Sequence, residues 1–228
     1  MRKVITLVGI ALVAFAGSAR AQDEAPAAAP AGDAAAAPAP EGAAPAPAAE
    51  AAKPAASQSK IQVGLNLLPM VLGKYSASAA GVSTSGDLKF AYGVGIHASY
   101  VIIPGLTVGI APQMLLNVKA KDDTGDASKE YDIFARIAYA YPVADKISVY
   151  AEVLPGYSIV SSTQSGVDAA KGLVLAGGVG GAYDITDQIF VNLGVGYQMG
   201  FQKTTYQGTD VDFKTKFLRI AVGAGAKF

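Results

Sequence analysis

The chain has 228 residues with 18 Lys+Arg against 18 Asp+Glu, a zero net charge that gives nucleic acid no reason to bind. With no Cys and a single His, disulfides, thiolate or His-rich metal sites and cysteine nucleophiles are excluded, and a catalytic triad would have only His97 to use. Charged residues are 16% of the chain, against about 25% in soluble domains, while 51% are hydrophobic and 26 are Gly, a balance that points to lipid.

Residues 1–21 read as an export signal. Arg2 and Lys3 form a basic start, Val4 to Gly17 is an uncharged apolar run, and Ala19-Arg20-Ala21 supplies small residues for cleavage before Gln22. The run is short for an anchoring helix, which needs about 20 residues, and no later stretch is long and apolar enough for one. A mature protein embedded in a membrane must therefore span it with strands.

Residues 22–59 are almost all Ala and Pro. Pro26, Pro30, Pro38, Pro40, Pro45, Pro47 and Pro54 recur too often for a helix to persist, and methyl side chains cannot build a core. A disordered, partly polyproline-II tether is expected, with a reach of at most about 120 Å. It reads either as a spacer contacting the periplasm or cell wall, or as a tolerated low-complexity insertion.

From Lys60 to Phe228 apolar and other residues alternate at period two in eight runs. They begin at Ile61, Leu88, Leu106, Tyr131, Ile147, Leu173, Ile189 and Leu218. The apolar face of the second run includes Leu88, Phe90, Tyr92 and Val94, and that of the third ends on Met114, Leu116 and Val118. Runs of roughly 10–13 residues suit tilted strands crossing an apolar band of about 25 Å, where soluble strands average 5–6. Links read alternately as long (73–87, 119–129, 160–170, 202–210) and short (101–105, 142–146, 184–187), the short ones carrying turn formers such as Pro104-Gly105.

The opposite face is mostly Gly, Ala, Ser, Asn and Gln, which suits a narrow interior better than a watered surface. Strands in hydrocarbon must satisfy every backbone group, which requires closure. The fold expected is all-β: an eight-stranded antiparallel up-and-down transmembrane β-barrel preceded by the disordered tether. Outward Tyr100, Tyr141, Tyr183 and Phe228 are expected at one membrane edge, and Phe90, Tyr131, Tyr157, Tyr197 and Phe201 at the other, as two aromatic girdles.

Over 60–228 the chain resembles the OmpA/OmpX-like eight-stranded outer-membrane β-barrels, also described as porin-family or outer-membrane β-barrel domain proteins. The resemblance implies an outer-membrane location with both barrel termini periplasmic. It also implies that the barrel assembly machinery reads the last strand, where Leu218, Ile220, Val222, Ala224, Ala226 and Phe228 match the family's pattern. No peptidoglycan-binding domain is expected after the barrel, so the family's cell-wall anchoring is not carried over.

Arg136 and Glu152 are equidistant from residue 144 and share interior parity, so they are expected opposite each other as a charge-assisted pair, extended by Arg219, Lys89 and Asp132. Two readings stand: a structural plug, or a gate whose partner exchange opens a small ion path. His97 and Ser99 form an H-x-S pair, as in outer-membrane lipid A deacylases, but their parity points them inward without an acidic partner, leaving a hydrogen-bonded interior His. Gly177-Gly178-Val179-Gly180-Gly181 opens no helix and so is no phosphate loop. Asp122, Asp123 and Asp126 lack the spacing of a calcium loop and read as a solvated acidic tip.

No cofactor is implied. The function expected is an integral barrel with a structural, interaction or weak small-pore role. The alternatives are an adhesion or binding module acting through the external loops, a lipid-modifying enzyme (disfavoured by the parity of His97), and a soluble lipocalin-like barrel.

Overall fold

The computed structural model describes residues 60–161, 168–206 and 208–228; the expected leader and tether lie outside the described residues. Among the described residues are nine strands and no helix. They are β1 (Ile61–Ala79), β2 (Val82–Asp87), β3 (Ala91–Ile103), β4 (Leu106–Val118), β5 (Ser128–Ala144), β6 (Ile147–Val160), β7 (Ala170–Asp184), β8 (Ile189–Tyr206) and β9 (Thr209–Lys227). Each strand pairs antiparallel with its neighbours, and β1 closes on β9. The far part of β1 pairs with β2 and its near part with β3, so β2 and β3 share one place and the ring has eight positions.

Following partners once round the ring leads from Leu67 to Val94, Met114, Tyr131, Ile159, Lys171, Lys203 and Asp212, and returns to Ser78, 11 residues farther along β1 (78 − 67). Such a stagger requires tilted strands, the geometry of a closed barrel. Backbone bonds between Ile61 and Phe228, at 3.1 and 2.8 Å, bring both ends of the barrel to one rim.

The alternation expected from sequence sets the exterior. Ile110, Val149, Leu193 and Leu173 are exposed, and Tyr100, Tyr141, Tyr183, Tyr131, Tyr157 and Tyr197 stand outward beside them. Two residues correct that pattern. Val118, expected outward, is fully buried because the register shifts between Leu115 and Val118, where Asn117 takes a left-handed φ of 63°. Leu88 is also buried; it stands outside the strands, bridged to Ala120.

Two of the four links expected to be long are strand instead. β1 runs to Ala79 and returns as β2 through Ala80 and Gly81, whose φ values of 47° and 83° suit a tight two-residue hairpin turn. β8 and β9 pair out to Tyr206 and Thr209. Residues 162–167 of the third long link lie outside the described residues.

The interior also departs from the expected lining of small residues. Phe134, Phe217, Leu68, Met70, Leu115 and Leu154 fill it and are essentially inaccessible. Several lumen glycines make room for rings: a Cβ at Gly180 or Gly194 would fall 2.6 or 2.5 Å from the Tyr150 hydroxyl.

Candidate functional site

The interior charges gather on Glu152. Arg136 Nε donates to its Oε2 at 2.9 Å and Arg219 Nη1 to its Oε1 at 3.0 Å, all three side chains being at most 13% exposed. The direct Arg136–Glu152 opposition is corrected: the β5–β6 register sets Ala138 against Glu152, so the pair is diagonal. The hairpin is centred on residue 145, one residue beyond 144, and the long Arg side chain spans the difference. The carboxylate thus divides its oxygens between two guanidinium groups and forms no bidentate pair.

The wall beside the triad explains its reach. Glu152, Gly178, Gly196 and Arg219 are successive register partners across β6, β7, β8 and β9. The two intervening residues have no side chains, so nothing stands between acid and base. Likewise Gly109 separates Arg136 from Ser99 in register, and Arg136 Nη1 donates to Ser99 Oγ at 3.2 Å.

Asp132 and Lys89 do not join this triad. Asp132 belongs to a separate polar cluster, in which Gln113 Nε2 donates to Asp132 Oδ2 at 2.7 Å and to Gln198 Oε1 at 2.9 Å. Gln198 Nε2 donates to Asp132 Oδ2 at 3.1 Å and Glu130 Oε1 at 3.3 Å. Ser158 and Gln202 complete the chain to Glu130. Glu130 and Gln202 were missed from sequence because they stand at strand ends that look like loop margins, beyond the outward aromatics Tyr131 and Phe201; burial continues past those rings. Lys89 instead donates to the Asp123 carbonyl at 2.9 Å. The acidic tip is not wholly solvated either: Asp123 is buried and accepts from Gly125 N at 2.7 Å, while Asp122 and Asp126 are exposed.

His97 lies inside, its Nδ1 bonded to Asn66 Nδ2 at 3.1 Å, and Asn192 Nδ2 donates to Asn66 Oδ1 at 3.1 Å. Ser99 is engaged by Arg136, so His97 and Ser99 have separate partners and form no nucleophile–base pair. On the last strand Val222 and Ala224 are exposed, Ala226 half-buried, and Phe228 exposed at the rim.

A closed antiparallel ring that is apolar outside, with its polar and charged side chains turned inward onto one another, is a membrane-spanning β-barrel of small bore. The chain belongs to the outer membrane protein beta-barrel domain family, whose model matches residues 34–228, and its location is the outer membrane. No curated protein matches it in sequence. The crystal structure of the outer membrane protein OprG from Pseudomonas aeruginosa superposes with a TM-score of 0.57 at 15% identity, covering 75% of this chain and 97% of that one. Neisserial surface protein A gives 0.48 at 18% identity, over 76% and 100% of the two chains. Ail, the attachment invasion locus protein of Yersinia pestis, gives 0.40 at 12%, over 75% and 99%. At 15% identity the likeness to OprG is one of fold.

Proposed function

We propose that this protein is a closed-lumen outer-membrane barrel with a structural and interaction role, both barrel ends lying on the periplasmic side. The observation that carries this is the filled interior. The Arg136–Glu152–Arg219 triad, the Gln113–Asp132–Gln198 cluster and the buried rings of Phe134 and Phe217 all occupy the lumen, which supports a plugged interior. The triad serves as a plug, since Glu152 already holds both arginines. Planar-bilayer recording of the folded full chain tests this: a silent membrane is expected, and regular unitary steps from the wild type would overturn it.

The same reading includes export by the 1–21 leader, the 22–59 segment as a periplasmic tether, and recognition of the last strand by the assembly machinery. Outward Tyr100, Tyr141 and Tyr183 at one edge, with Tyr131, Tyr157 and Tyr197 at the other, serve as girdles at the headgroup boundary. Deleting Phe228 is expected to lower the yield of folded barrel in cells.

A second reading, binding at the cell surface, draws support from the paired β1–β2 and β8–β9 hairpins, which continue beyond the aromatic edge as stiff ladders. Shortening both would abolish such binding while leaving the barrel folded. A lipid-modifying role is disfavoured by the separate bonding of His97 and Ser99.

A further inference from the structure

At the rim opposite the two barrel ends, five exposed lysines lie on four adjacent strands: Lys171 on β7, Lys203 on β8, Lys214 and Lys216 on β9, and Lys74 on β1. Two like-charged pairs are direct register partners, Lys171 with Lys203 and Lys74 with Lys216. Like charges placed opposite each other on one sheet face oppose pairing unless an anion sits between them. Among the described residues only one of these lysines has an acidic partner within ion-pair distance, Lys203 with Asp212 at 3.4 Å. Asp87, the register partner of Lys74 on the β2 side, makes no such pair. Five lysines against these two acids leave three positive charges, with Asp168 and Asp210 farther toward the loop ends.

The patch sits on the edge of the apolar band. Leu173 and Phe201, both exposed, are register partners one rung nearer the barrel centre than Lys171 and Lys203, and Phe201 also pairs with Lys214. One lysine is aimed outward by a special backbone device. β1 carries a bulge between Val71 and Lys74, with Leu72 at φ 51° and 79% exposed. Without that extra residue Lys74 would share the inward parity of Leu68 and Met70. The patch is also local: on β3 to β6 the same edge carries Tyr92, Tyr131 and Tyr157, with Lys129 the only strand lysine. At the opposite rim Lys227 is already neutralised by Asp184 at 2.7 Å.

We propose that Lys74, Lys171, Lys203, Lys214 and Lys216 form a binding surface for the phosphate groups of anionic lipid headgroups in the leaflet that meets this edge. The inference rests on the lipid-embedded reading above. Lysine stems lie along the apolar band while the ammonium groups reach headgroup level, and a phosphate between paired lysines turns their repulsion into attraction.

The test is native mass spectrometry of the folded full chain in detergent, titrated separately with cardiolipin and with phosphatidylcholine. Preferential retention of cardiolipin is expected. The variants K171Q/K203Q and K74Q/K216Q, checked for folding by heat-modifiable gel mobility, are each expected to weaken it roughly twenty-five-fold, at about fivefold per lysine. Equal retention of the two lipids by the wild type, or undiminished cardiolipin on the quadruple variant, would overturn the proposal. So would displacement of cardiolipin by inorganic phosphate at equal concentration, which would mark a soluble-anion site. Resistance to carbonate extraction from phosphatidylcholine vesicles reports embedding alone, so its loss would sink the lipid-embedded reading by a separate route.

Discussion

Glu152 and Arg219 occupy one rung of the barrel three strands apart, and their 3.0 Å contact passes over Gly178 and Gly196. The pair and its third member, Arg136, are almost wholly shielded from water, so removing the shared carboxylate leaves two guanidinium groups facing each other in a narrow space. Glu152→Ala is expected to destabilise the folded barrel by about 3–5 kcal/mol, read as a lower urea midpoint on a heat-modifiability gel. Replacing all three together (R136M/E152L/R219M) is expected to restore most of that loss, because no charge is then stranded. A triple variant as weak as Glu152→Ala would show that the loss comes from packing.

The bare wall between acid and base makes its own prediction. A Cβ at Gly178 would fall 2.5 Å from the Val195 carbonyl oxygen and 2.8 Å from Gly196 Cα, both backbone and unable to move aside cheaply. Gly178→Ala is expected to cost about 1–3 kcal/mol in urea unfolding. Alanine at Gly81 meets no neighbour within 4 Å and suffers only from its φ of 83°, so its cost should be local to the hairpin and should leave the lumen pairing unchanged.

Phe217 is fully buried in the lumen beside Leu68, Met70 and Leu115. Truncation to alanine opens a cavity there, with an expected loss of about 3–5 kcal/mol. The same variant tests the plug: if the filled interior is what blocks ions, Phe217→Ala combined with Phe134→Ala raises bilayer conductance above that of the silent wild type. No change in conductance would assign closure to the polar groups alone.

Val195 lies outward on β8, 48% exposed, midway between Ile189 at one end of the apolar stretch and Phe201 at the other. Arginine there would face hydrocarbon near its centre, an expected cost of about 2–4 kcal/mol that should shrink toward zero for the same change at Phe201, close to the edge. Equal tolerance at both positions in lipid vesicles would contradict the lipid-facing exterior.

Period-two alternation is a property of neighbours along the chain. Ile189, Val191, Leu193, Val195 and Tyr197 therefore reveal a strand and its outward face before any partner is known. Closure follows from the same pattern, because apolar strands with small residues behind them have no other way to satisfy their backbones in lipid. The meeting of Arg136, Glu152 and Arg219 was legible only in part. Parity puts all three inside, yet the hairpin centre is displaced from the midpoint a turn of 142–146 suggests, and Asp132 has a different set of partners.

Those contacts depend on how far each strand slides past the next, a quantity that accumulates around the ring and is altered by single residues. Leu72 adopts a left-handed φ that nothing in its side chain announces, Asn117 one that Asn tolerates better than most residues, and each reverses which residues face inward beyond it. Lys74 and Val118 point where they do because of those two bulges. Local chemistry therefore dictates that strands form and which broad face is greasy. The stagger of the closed ring dictates who meets across the lumen, since side chains 126 residues apart, those of Asn66 and Asn192, are brought together only when the last strand pairs with the first.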